Sequence, residues 1–225
     1  MSTRIPTLLE PYLSLPPETS LILLTSILGA STNWLVSRYL HTLLTPSKSS
    51  PASPADDVSV VLLSFLRDYS FWRDAAGRLG TDLDSAGRKG RFAFVDGLTG
   101  LYVPPGGGGR GGVAGGVGTG RESWSVTLRS GRPEDVRRVV DAVVEEQVRN
   151  AGGRDGGERK VVLVVDQLDL LLAAGEEEGM GGVLGDMLAD WREVSDADST
   201  VQRTQEAHSL HVRVLTGPRN HMLQS

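Results

Sequence analysis

Val161-Val162-Leu163-Val164-Val165, closed by Asp166, constrains the fold of this chain more than any other stretch. Five apolar residues in a row, four of them β-branched, make a strand whose two faces must both be covered. Val58–Phe65 (VSVVLLSF) has the same character, Phe92-Ala93-Phe94-Val95 is a third such run, and Leu21–Thr25 (LILLT) is a shorter one. Between these runs the apolar spacing changes to three and four. Trp34, Leu35, Tyr39, Leu40 and Leu43 mark one helix, and Tyr69, Trp72, Ala76 and Leu79 a second that ends near Gly80. Pro133 opens a third, with Glu134 and Asp135 at its positive end and Val136, Val140, Val143 and Val144 along one side. Val183, Leu184, Met187, Leu188 and Trp191 trace a fourth. Buried strands alternating with amphipathic helices mean parallel strands joined by helical crossovers. The expected fold is α/β, a mostly parallel sheet flanked by helices on both faces.

At 225 residues and 39% hydrophobic composition, one large domain has ample material for a core. Ten of the 28 glycines fall in Gly106–Gly120, which has almost nothing to bury and reads as a mobile, dispensable surface loop. The Pro/Ser/Ala-rich stretch 45–57 reads as a linker and 152–158 as a short polar loop. All three interrupt elements that need one another, so residues 1–194 are expected to be one domain with low-complexity insertions at 45–57 and 106–120. The absence of cysteine excludes disulfide scaffolds, Cys-type zinc sites and thiol catalysis. The net charge of −5 argues against autonomous nucleic-acid binding. No run near the start is long enough to span a bilayer or ordered like a signal peptide, so the expectation is a soluble intracellular protein.

In such a sheet, the turn from first strand to first helix is where a nucleotide phosphate would meet free backbone N–H groups. The phosphate-loop pattern G-x-x-x-x-G-K-[ST] fits poorly here. With Gly29 as the second glycine, Leu24 stands at the first, Ala30 at the lysine and Ser31 at the metal-binding hydroxyl, followed by Thr32. Alanine cannot grip the β- and γ-phosphates. The alternative is structural: Gly29 shapes a tight turn, and Ser31 or Thr32 caps the helix. Asp166 has the position of a magnesium-binding Walker B aspartate, but Gln167 after it cannot act as a general base. The neighbouring strand ends at Ser64-Phe65 without a carboxylate. These features suggest an ATPase architecture whose chemistry has been removed, with no catalytic, cofactor-binding or metal site.

The remaining candidates are weaker. His41, His208, His211 and His221 form no ligand motif, and Glu176-Glu177-Glu178 reads as a solvated turn. Arg67, Arg73, Arg78, Arg88, Lys89 and Arg91 are either solvated surface or a patch facing RNA or a partner. Trp72 and Trp191 read as core or interface anchors rather than base-stacking platforms.

Four segments resemble one known family. RIPTLLEPYLSLPPETSLILLTSILGASTNWL from Arg4, SFLRDYSFWRDAAGRLG from Ser64, GRFAFVDGLTGLY from Gly90 and KVVLVVDQLDLLLA from Lys160 are similar, in that order, to the fungal form of the Elongator complex protein 6 family. The resemblance extends to about Arg192. It implies a RecA-like fold with a degenerate P-loop, in keeping with Ala30 and Gln167. It also implies a hetero-hexameric ring with Elongator proteins 4 and 5, accessory to the catalytic Elongator subcomplex that modifies the wobble uridine of transfer RNA. Contact with tRNA would run through the assembled ring, in the cytoplasm and also the nucleus, with no membrane involved. The competing readings are an active P-loop-type ATPase and a RecA-like recombination or DNA-binding protein.

The resemblance stops after Trp191-Arg192-Glu193. Residues 195–225 contain only a brief strand candidate, Val212–Leu215, and read as an atypical, poorly ordered tail that adds little. A sheet without the strand expected there would be incomplete at its C-terminal edge and would leave an apolar edge unpaired.

Overall fold

Strand residues alternate between two buried faces, and that alternation builds the molecule. In the computed structural model, β2 (Val58–Ser64) is buried at every position, as are β3 (Phe92–Asp96) and all of β5 (Lys160–Asp166) after its first residue. Val61, Leu63, Val161, Leu163 and Val165 point to one face, where they meet Val136, Val140, Leu184, Met187 and Trp191. Val58, Val60, Leu62, Val162 and Val164 point to the other, against Val36, Leu40, Leu43, Trp72, Ala76 and Leu83. A central strand buried on both sides has no polar alternation to show, which is why these runs are continuously apolar.

The described residues are 7–9, 13, 22–26, 31–45, 58–103, 122–151, 160–174, 180–196 and 210–218. Six parallel strands form one sheet in the order β1-β6-β5-β2-β3-β4, with β1 at Ile22–Ser26, β4 at Ser125–Thr127 and β6 at Leu210–Pro218. The helices are α1 (Asn33–Leu44), α2 (Tyr69–Gly77), α3 (Leu83–Arg88), α4 (Thr99–Tyr102), α5 (Pro133–Ala151), α6 (Asp169–Ala174) and α7 (Met180–Asp196). Among them α1, α2 and α3 cover one face of the sheet, and α5 and α7 the other. The expected mostly parallel, doubly covered sheet is the observed one.

Three expectations need correction. The first strand is not buried on both faces: β1 is an edge strand, and Leu23 is 57% exposed. Trp34 does not join the buried stripe of α1, which consists of Val36, Tyr39, Leu40, Leu43 and Leu44; Trp34 is 53% exposed. The largest difference concerns residues 195–225. Leu210–Pro218 is a strand, and it lies inside the sheet between β1 and β5, paired in parallel with both. The sheet is therefore not missing a strand there. Without β6, the edge strand β1 would have no neighbour in the sheet. The insertion at 106–120, residues 46–57 of the linker, the loop 152–158 and Glu176–Glu178 lie outside the described residues.

Candidate functional site

Because every strand runs the same way, all strand tips gather at one edge, and their register aligns them. Leu24, Leu215, Asp166, Ser64, Asp96 and Thr127 stand level in a single row across the sheet. The tip of β1, where a phosphate loop would begin, is two strand spacings from Asp166, roughly 10 Å. Gly29 and Ala30 lie outside the described residues, whereas Ser31 and Thr32 lie within them. Ser31 is the residue that caps α1, its Oγ accepting from the Asn33 N–H at 3.2 Å. Thr32 makes no side-chain cap, but its carbonyl accepts the first helical bonds from Leu35 and Val36.

Asp166 has no exposed surface. Its Oδ2 accepts from the Ser64 hydroxyl at 2.9 Å. The same Ser64 oxygen accepts from the indole Nε1–H of Trp72 at 3.1 Å and from the Arg67 backbone N–H at 3.2 Å. One donor and two acceptor positions are all that a hydroxyl offers, so Ser64 is fully used. It holds the carboxylate and is not a free nucleophile. The other carboxylate oxygen, Oδ1, is buried without a hydrogen-bond partner, as is Nε of Arg67, whose guanidinium lies over the Phe71 ring. Burial pushes the Asp166 carboxyl up to about 6, against the opposing pull of the Ser64 hydrogen bond and the Arg67 charge. Gln167 takes a left-handed backbone conformation (φ 57°), turning the chain abruptly from β5 towards α6.

The fold class implies a magnesium ion at such an aspartate, and these residues do not fit one. Magnesium keeps several waters and needs carboxylate oxygens open to them, whereas Asp166 is fully buried and hydrogen-bonded by Ser64, which the Trp72 indole holds in turn. Among the described residues, no three His, Asp or Glu side chains are grouped to hold a metal ion. The β3 tip does carry a carboxylate, Asp96, but it accepts from the backbone N–H groups of Leu98 and Thr99 and so caps the turn into α4.

The raised Asp166 pKa has a consequence for stability. Between the ordinary carboxylate value and about 6, the folded protein keeps a proton that the unfolded chain has released, so stability should fall as pH rises through this window. Two units correspond to about 3 kcal/mol. Urea unfolding of the wild type should show this loss between pH 4 and pH 7, and Asp166→Asn should remove most of it. Parallel pH profiles for the two proteins would contradict the assignment.

The sequence candidates separate in space. Trp72 and Trp191 are both core residues, and the Trp191 indole donates to Asp141 at 2.9 Å. His41 Nδ1 hydrogen-bonds the Thr81 hydroxyl at 2.8 Å, which ties the end of α1 to the turn before α3. His208 and His221 lie outside the described residues. The basic cluster is not one patch. Arg91 donates to the carbonyls of Leu43, Leu44 and Val58 as an internal staple, Arg73 pairs with Asp74, and Arg67 belongs to the Asp166 edge. Arg88 and Lys89 lie where β3 begins, at the far edge of the sheet. The residues that sequence reasoning missed are Ser64 as the carboxylate's holder, Trp72 as the donor that holds Ser64, and Arg67 as the countercharge to Asp166. Their only signal was the pairing of two strand tips 102 residues apart.

The chain has a RecA-like fold. A KaiC-like protein from the hyperthermophilic archaeon Pyrococcus horikoshii OT3 aligns with a TM-score of 0.51 at 16% identity, over 92% of this chain and 67% of that one. An uncharacterized protein from Pyrococcus horikoshii, solved in complex with an unknown peptide, aligns with a TM-score of 0.57 at 14% identity, over 93% and 73%. No family model and no curated protein matches the sequence.

Proposed function

We propose that this chain is a non-hydrolytic subunit of a RecA-like ring, assembling with Elongator proteins 4 and 5 in support of tRNA wobble-uridine modification. The modification chemistry belongs to the catalytic Elongator subcomplex. The observation that carries the non-hydrolytic part is the burial of Asp166, whose carboxylate accepts from Ser64, itself held by the Trp72 indole. Ala30 at the lysine position supports the same reading from the sequence. The segments from Arg4, Ser64, Gly90 and Lys160 support the choice of ring.

Two exposed apolar regions support assembly. Trp34 projects from the helix layer containing α1, while Leu172 and Val183, each 45% exposed, lie on α6 and α7 in the opposite layer. A closed ring built head to tail needs two different contact surfaces on each subunit, and this protein has apolar side chains on both sides. No helix of the described residues is long and apolar enough to cross a membrane, and the reading places the ring in the cytoplasm and also the nucleus.

Equilibrium binding of labelled ATP together with a turnover assay tests the non-hydrolytic part. One charge-assisted hydrogen bond contributes about 1.5–3 kcal/mol, so losing the lysine alone should weaken binding at least tenfold. Neither tight binding nor turnover is expected. Micromolar affinity with magnesium-dependent turnover, abolished by Asp166→Ala, would overturn the reading in favour of an active ATPase.

A further inference from the structure

In the helix layer that contains α1 and α2, the two helices leave a groove between them. Trp34, Ser37 and Arg38 stand at steps of three and four on α1. Phe71, Asp74, Ala75 and Arg78 repeat that spacing along α2 and its C-cap. Each set therefore forms one helix face. The two faces line a pocket of about 510 Å³. Ser37 and Ala75 are the small side chains of the two rows, and Trp34 and Phe71 the large apolar ones. Among the described residues, only α1 and residues 71–79 line this pocket, so no third element covers it.

The aromatic walls can be reached from outside. Trp34 is 53% exposed, so its ring is open to a partner. Phe71 is half-buried and held in place: the Arg67 guanidinium lies 5.1 Å from its ring centroid, and the Trp72 ring meets it edge-on at 5.2 Å. The charges are unequal. Arg38 and Arg78 both line the pocket, against a single carboxylate, Asp74, which pairs with Arg73 at 3.5 Å. This is a cationic spot in a chain whose net charge is −5. Tryptophan and arginine are also the residue types that most often dominate the binding energy of protein interfaces.

We propose that this groove docks an acidic peptide segment carrying one large apolar side chain. That side chain would enter between Trp34 and Phe71, and the flanking carboxylates would meet Arg38 and Arg78 at the rim. The inference rests on the ring reading for the source of the segment, which would be the neighbouring subunit. A small ligand is normally enclosed over most of its surface, whereas this groove has helices on two sides only. Two arginines are few for a nucleic acid, whose binding is driven by neutralising phosphates. A second copy of the chain would bring the same net charge of −5, which opposes self-association.

The test is calorimetric titration of the full-length protein with the peptide acetyl-Glu-Glu-Ala-Phe-Ala-Glu-Glu-amide. It should bind with a Kd of about 0.1 mM or tighter. Replacing its phenylalanine by alanine should weaken it about thirtyfold, and Trp34→Ala in the protein should do the same. Arg78→Glu should weaken it about tenfold, and a peptide with lysine for every glutamate should not bind. Trp34 and Arg78 are both exposed, so the two variants should melt close to the wild type. The proposal is overturned if the acidic peptide does not bind, if the alanine or lysine peptide binds equally well, or if both variants bind like the wild type. Tighter binding of decauridylate would overturn it in favour of RNA. Self-association of the wild type that Trp34→Ala abolishes would overturn it in favour of a second copy. In co-expression with Elongator proteins 4 and 5, the Trp34→Ala/Arg78→Glu double variant should fail to join the complex. If it joins as the wild type does, the inference falls and the ring reading stands. A wild type that binds the peptide but joins no complex would support the groove and overturn only the ring reading.

Discussion

Truncation after Glu193 should give a chain that does not fold. β6 lies between β1 and β5 and pairs with β5 at six register positions, Val161↔Leu210 to Asp166↔Leu215. Removing it exposes one side of β5, an apolar strand in the middle of the core, and leaves β1 without a neighbour in the sheet. Each buried backbone group left unpaired costs about 1–3 kcal/mol, so a few of them exceed the 5–15 kcal/mol typical of a whole domain. Circular dichroism and solubility of the truncated and full-length chains would measure this. A truncated protein that is soluble and melts like the full-length one would show that the strand pairing at 210–218 contributes nothing.

Trp72→Ala should produce the largest effect of any single substitution near the Asp166 edge. Trp72 is fully buried, and truncating a buried tryptophan costs about 3–5 kcal/mol. In a chain of this size that lowers the melting temperature by on the order of ten degrees. Trp72→Phe keeps most of the volume but removes the hydrogen bond to Ser64, and should cost only about 1 kcal/mol. Thermal unfolding of the two variants separates packing from hydrogen bonding. Equal losses would mean that the indole N–H, rather than the ring, carries the contribution. A Trp72→Ala protein as stable as the wild type would contradict the burial of this ring in the core.

The central strands were legible in the sequence because a strand buried on both faces leaves no other pattern: β2, β3 and β5 lie where the continuous apolar runs are. β6 was legible only as the fragment Val212–Leu215, because its apolar residues alternate with His211 and Arg213. It also follows α7 after residues 197–209, a longer connection than the 2–6 residues usual for such a loop. The short helices α3 and α6, six residues each, were too brief to show a period. At the candidate site, Asp166 was visible as a strand-end carboxylate, but its burial was not, since that depends on β2 and β5 being neighbours.

Co-expression with Elongator proteins 4 and 5, followed by light scattering, decides whether this chain is a ring subunit. A ring contact typically buries about 800 Å² on each partner, enough to cover Trp34 on one side and Leu172 with Val183 on the other. The chain should be poorly soluble alone and, with both partners present, should elute as a soluble complex with the mass of a hetero-hexamer. A well-behaved monomer that ignores both partners would contradict it.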